Sequence, residues 1–334
     1  MYRYVFVALL AVLPFCSFAD LLSDELVKEE NSCFSWIFED YDTWRSTVEK
    51  ARSNQAEDKE KLKQAMEKFD QTFGKDQFTK YKQNLACSTF KYEVDGIDVH
   101  GFYIRPTKAA SDLPILVYNR GGNQNFGRVN FPRMMLDLFP IAHEGFAIIG
   151  TQYRGTQTKN TLLDEFGGAD VNDVMALIDM IPSLPNIDKD RIGMYGVSRG
   201  GMQSFLTLKR TNQVKALAVL GGASDLAKEL EFRPFMEKVY KRQIPNYLEN
   251  KNAELTKRSV VNWIPSLPKT TPILLLHGES DKRVSVQSSI TLAELFAKHE
   301  IPHKLVIYPN DNHGLYYNKG NADKEIVEWF IKHL

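Results

Sequence analysis

Three residues in this sequence have side chains and spacings suited to nucleophilic chemistry. They are Ser198 in Gly196-Val197-Ser198-Arg199-Gly200, Asp281 in HGESDKRV and His313 in NDNHGL. A serine hydroxyl is a weak nucleophile until a neighbouring base takes its proton, and that base needs a third group to hold it in one tautomer. Serine, then acid, then histidine is the chain order expected when the nucleophile sits on a strand-to-helix turn of a parallel sheet. In that setting Gly196 and Gly200 leave room for a strained turn that exposes the hydroxyl, and the helix behind it points N–H groups forward. The pattern G-x-S-x-G alone is weak, because glycine and serine are common. Its position between an apolar run (191–196) and an amphipathic one gives it weight.

Two rearrangements compete with Ser198–Asp281–His313. Asp311 stands too close to His313 in sequence to orient it easily, and His277 ends an apolar run where it shapes the turn. Acyl transfer also requires donors for the oxyanion that develops on the attacked carbonyl. The N–H of Arg199 is one expected donor. The stretch YNRGGNQNFG is the expected second source: Gly121 lets the backbone approach a ligand, and Arg120 is either a charged donor or part of a structural ion pair.

The elements that must position these residues are legible as alternation. Apolar runs at 114–120, 146–155, 191–196, 216–222, 272–278 and 304–309 alternate with helix-like segments, which predicts an α/β fold: a mostly parallel central sheet flanked by helices. The segment 20–88 reads as a helical N-terminal extension without strand-like alternation; Leu62, Met66, Phe69 and Phe73 recur at helical spacing and Gly74 stops the helix. Asp95-Gly96 marks a hairpin at the start of a catalytic domain over 89–334. Charged and aromatic residues over 223–266 interrupt the alternation and suggest a cap or insertion.

Residues 1–19 read as a cleaved signal peptide, with Arg3, a short apolar stretch and Ser17-Phe18-Ala19 before Asp20, so export to a periplasmic or extracellular space is expected. Cleavage would remove Cys16 and leave Cys33 and Cys87, either disulfide-bonded across the extension or buried as free thiols. The 334 residues carry 42 basic and 42 acidic side chains, a balance that argues against nucleic-acid or anionic-membrane binding. No metal-ligand spacing, Walker loop or dinucleotide fingerprint is present, and the expected chemistry needs no cofactor.

In combination, IDKDRIGMYGVSRGG, PILLLHGESDKRVSV and YPNDNHGL resemble the catalytic domain of the prolyl oligopeptidase family of α/β-hydrolases. QYRG with FGGADVNDV is similar to that family's intervening signature, and the resemblance covers roughly residues 90–334. It implies Ser198 as nucleophile, Asp281 as acid and His313 as base. Two departures stand out: Arg120 occupies the place where family peptidases commonly carry an oxyanion-hole tyrosine, and a short helical extension stands where a large β-propeller is usual. Glu29-Glu30 is similar to the paired glutamates that grip a peptide amino terminus in dipeptidyl members, but reads here as surface charge. The expectation is a serine peptidase acting on short peptides. A carboxylesterase acting on a small ester is the alternative on the same chemistry, and a non-catalytic binding protein on the same scaffold the alternative from another class.

Overall fold

The computed structural model describes residues 21–23, 25, 27–54 and 58–334; the signal sequence expected over 1–19, with Cys16, lies outside the described residues. The N-terminal part forms β1 (Lys28–Ser32), α1 (Tyr41–Ser53), α2 (Lys59–Phe73) and α3 (Lys75–Asn84). Next come β2 (Leu85–Val94), β3 (Ile97–Pro106), β4 (Leu113–Asn119), α4 (Phe131–Arg133), α5 (Phe139–His143) and β5 (Ala147–Thr151). Then follow α6 (Val171–Met180), β6 (Ile187–Val197), α7 (Arg199–Leu208) and β7 (Val214–Leu220). The helices α8 (Leu226–Phe232), α9 (Met236–Gln243) and α10 (Tyr247–Arg258) come before β8 (Ile273–Gly278), α11 (Val286–Lys298), β9 (His303–Tyr308) and α12 (Lys319–His333).

The apolar runs become strands because each is short and has two faces to bury. In β4, Ile115 and Val117 enter one hydrophobic cluster with Val174, Leu177 and Phe296, while Leu116 and Tyr118 enter the other with Phe139, Ile326 and Phe330. Among the described residues the sheet runs β1-β2-β3-β5-β4-β6-β7-β8-β9, and every pair from β5 to β9 is parallel. The chain therefore moves outward from β4 to β5 and then returns to place β6 on β4's other side. The connections that leave the carboxyl ends of β4 and β6 therefore run in opposite directions along the sheet, and such a reversal is where open α/β sheets bind ligands. The β2–β3 hairpin turns through Asp95 and Gly96, both at positive φ (53° and 74°), the geometry a two-residue hairpin with right-handed strands requires.

The N-terminal extension is helical over α1 to α3, but it opens with a strand that its sequence does not announce. β1 is polar and pairs antiparallel with β2 through its backbone at the edge of the sheet, so no apolar alternation marks it. Glu29 is exposed and paired with Lys91 at 2.6 Å, while Glu30 accepts from the N–H groups of Leu21 and Leu22. The helices join the body by aromatic packing: Trp44 meets Phe131 edge-on at 5.3 Å, and Phe69 and Phe78 share the same cluster.

A disulfide joins Cys33, just after β1, to Cys87 in β2 across 54 residues that include all three helices of the extension. Closing a loop of that size removes unfolded-chain entropy worth about 4 kcal/mol. Reduction, or Cys87→Ser, is expected to lower the urea midpoint by the equivalent of about 2–4 kcal/mol. Equal midpoints for oxidised and reduced protein would show that the bridge contributes nothing to stability.

Candidate active site

Ser198 lies between β6 and α7 with φ 59° and ψ −123°, a conformation that L-residues adopt only when their surroundings enforce it. Its N–H donates to Leu220 O and its carbonyl accepts from Gly201 N–H, so both backbone groups are tied down on either side of the kink. The two flanking glycines are steric necessities. A Cβ on Gly196 would stand 2.4 Å from Gly200 O, and one on Gly200 would stand 1.9 Å from Asn119 O. The first turn of α7 is thereby pressed against the end of β4, and the Ser198 side chain faces a cavity of about 1100 Å³.

His313 lines that same cavity from the loop after β9, and Asp281 stands behind it in the loop after β8. His313 Nδ1 and Asp281 Oδ2 are 2.6 Å apart. Nδ1 keeps its proton and donates it in a hydrogen bond to the carboxylate, which leaves Nε2 with the lone pair a general base needs. Asp281 Oδ1 accepts from the N–H groups of Arg283 and Val284 at 2.7 and 3.1 Å. Burial pushes this carboxyl's pKa up, but the contacts from His277, His313 and Arg283 N–H outweigh burial and hold it well below the usual carboxylate range. Asp281 is therefore a fixed anion at any working pH.

The two competing residues take structural positions. His277 is fully buried, and its Nε2 faces two acceptors, Val284 O at 3.1 Å and Asp281 Oδ2 at 3.2 Å, so Nε2 carries the proton. Its Nδ1 then accepts from the Ser289 hydroxyl at 2.7 Å, and no lone pair remains for a substrate. Asp311 is buried and accepts from Asn312 N–H, Tyr317 N–H and Asn318, bracing the loop that carries His313.

The oxyanion side departs from expectation at one residue. Arg199 N–H begins α7, where a helix's first N–H groups have no intrahelical acceptor. Gly121 lies against Ser198: a Cβ there would be 3.1 Å from Ser198 Cβ. Arg120, expected as a charged donor or ion-pair partner, is neither. Its guanidinium is fully buried and donates to Gln152 O, Gly121 O, Gln124 O, Phe126 O and Thr156 Oγ1. Burial, then the nearby Arg199 charge, pushes its pKa down to about 10. Five oxygens consume its donors, so Arg120 shapes the 121–127 loop from behind and does not face the cavity.

The Arg199 side chain fastens the two walls together. It donates to Asp164 at 2.7 and 2.8 Å, to Asp170 at 2.6 Å and to Gly122 O at 3.1 Å, and it stacks on Tyr153 and Phe166. Asp164 in turn accepts from Gln124 N–H at 2.7 Å. Asp164 and Asp170 escaped the sequence reading because their role depends on contacts 35 and 29 residues away. So did Glu229, a buried carboxyl on α8 that lines the cavity and contacts the Ser288 hydroxyl. From the 223–266 segment, Glu229 on α8 and Met236, Val239 and Tyr240 on α9 line the cavity, the last three supplying apolar wall.

The family model for the prolyl oligopeptidase family matches residues 132–334. The uncharacterized peptidase YtmA of Bacillus subtilis is 30% identical over 221 residues, covering 66% of this chain and 83% of the relative. Dipeptidyl-peptidase 5 of Porphyromonas gingivalis is 26% identical over 220 residues, which is 60% of this chain but 30% of that protein. Among solved structures, a Pyrococcus horikoshii acylaminoacyl peptidase superposes with TM-score 0.65 at 20% identity, over 77% of this chain and 43% of that one. A puromycin-hydrolyzing peptidase of Mycobacterium tuberculosis gives 0.63 at 20% identity, over 74% and 39%. The shared fold is the α/β-hydrolase fold. The chain thus spans most of YtmA but less than half of these other three proteins.

The cavity carboxyl gives a stability test. Burial raises the Glu229 pKa to about 7, against an ordinary value of 4.5 in an unfolded chain. Between those values the folded protein binds the extra proton, so stability falls as pH rises through that window. Glu229→Gln is expected to be the more stable form above pH 7 by up to a few kcal/mol, with the difference shrinking toward acid pH. Urea midpoints of both proteins across this range check it; a difference that does not vary with pH would rule out this ionisation.

Proposed function

Because the chain belongs to the prolyl oligopeptidase family, we propose that this serine hydrolase is a peptidase whose catalytic residues are Ser198, His313 and Asp281. The observation that carries the reading is the 2.6 Å His313–Asp281 contact, set in the same cavity as a serine held at positive φ. His313 Nε2 takes the Ser198 proton as Oγ attacks the scissile carbonyl. Asp281, already ionised, stabilises the imidazolium that forms. The carbonyl oxygen turns toward Arg199 N–H and the Gly121–Gly122 backbone, where no reorganisation is needed as charge develops. Collapse of this intermediate expels the amine, which receives the proton from His313, and water then releases the acyl group by the same path in reverse. No cofactor takes part. The disulfide in the N-terminal extension suits an oxidising compartment and supports export as the setting.

Hydrolysis of short chromogenic peptides by the wild-type protein is expected to fall by at least about 10³-fold in Ser198→Ala and in His313→Ala, and by a similar order in Asp281→Asn. A fluorophosphonate should label wild type but not Ser198→Ala. Turnover of p-nitrophenyl esters without any peptide cleavage would favour a carboxylesterase, and turnover that survives Ser198→Ala would overturn the assignment.

A further inference from the structure

The charged lining of the Ser198–His313 cavity is one-sided. Five cationic residues line it, Arg133, Arg199, Arg233, Lys282 and Arg283, against one acidic residue, Glu229. Arg133 is neutralised by Asp137, and Arg199 by Asp164 and Asp170. Among the described residues Arg233, Lys282 and Arg283 have no carboxylate within ion-pair distance. Glu229 is buried against Ser288, and burial holds it largely protonated up to about 7, so it cancels little of their charge.

The position of these cations follows from the catalytic pair. Lys282 and Arg283 come directly after Asp281, whose carboxylate holds His313. They share the loop whose Asp281 holds the imidazole, and that imidazole must return its proton to the departing amine on the leaving-group side of the scissile bond. Arg233, directly after α8, lines the same cavity. Extended peptide advances about 3.3–3.6 Å per residue, so a charge one or two residues beyond the scissile bond falls within reach of long cationic side chains on this loop.

We infer that Lys282 and Arg283, together with Arg233, form a carboxylate subsite, and that the preferred substrates are short peptides whose free C-terminal carboxylate lies one or two residues beyond the scissile bond. This rests on the peptidase reading above. The attraction comes from partly exposed cations, so it is modest and sensitive to salt.

The test compares acetylated tripeptides ending in a free carboxylate with the same sequences ending in a carboxamide, following release of the C-terminal fragment. The acid is expected to have a kcat/KM on the order of tenfold higher, mostly through KM, as two or three partly exposed ion pairs allow. That ratio should shrink toward one at high salt and in the double variant K282Q/R283Q. Because it compares two substrates of one protein sample, the ratio is unaffected by partial misfolding of the variant. Equal kcat/KM for both peptides, or a preference that survives both salt and neutralisation, overturns the subsite while leaving the peptidase intact. Failure to cleave either peptide, with Ser198-dependent ester turnover still present, removes the peptidase reading and the subsite with it.

Discussion

The site depends first on how closely α7 approaches the end of β4. Gly200 stands where any side chain would collide with Asn119 O, and Gly196 where one would collide with the Gly200 carbonyl. With those two positions bare, the turn between β6 and α7 can be tight enough to force Ser198 to φ 59°. The same approach sets Gly121 beside the serine and aligns Arg199 N–H with it. The exposed serine and the backbone groups beside it are therefore consequences of one steric arrangement at the β4–β6 reversal. The strain at Ser198 is held by the sheet on one side and by the hydrogen bond from Gly201 on the other.

That arrangement brings two arginines into the interior behind the cavity wall, and their charges must be balanced there. Arg199 has two buried aspartates, while Arg120 has only carbonyl and hydroxyl oxygens and sits close enough to Arg199 to be repelled by it. Taken together, the two guanidinium groups and the two carboxylates form a neutral cluster, which is the only form in which this much charge is tolerable out of water. Removing one member would leave an uncompensated charge against the loops that carry Gly122 and Gln124. The cluster's contribution is best understood as geometry: it joins the 121–127 loop to α7 so that the donors on both walls keep their spacing.

Much of this was legible in the sequence. The parallel strands announce themselves as continuous apolar runs because both their faces are buried, and strand ends then locate Ser198, Asp281 and His313 without further information. What was not legible has identifiable causes. β1 is a polar edge strand held by backbone pairing, which leaves no periodic trace. The task of Arg120 could not be read because carbonyl acceptors are invisible in a sequence, whereas an acidic partner would have been a visible candidate. Asp164, Asp170 and Glu229 lie in loops or on a helix far along the chain from what they contact, and their residue types alone are ordinary surface types.

Two carboxyls near His277 are held in opposite states, and the difference lies in how many donors each receives. Asp281 is approached by two histidines and two backbone N–H groups, so its ionised form is better solvated inside the protein than burial can penalise. Glu229 has the Ser288 hydroxyl as its side-chain donor and feels the Asp281 charge, so burial prevails and it keeps its proton to about 7. Environments that push two neighbouring acids apart in this way are how a fold assigns them different tasks. Here the ionised acid is spent internally on His313, and below about pH 7 the protonated one cancels little of the cavity's cationic charge. The cavity's lining is consequently cationic in balance even though the whole chain is neutral, and any selectivity by charge must come from that local imbalance.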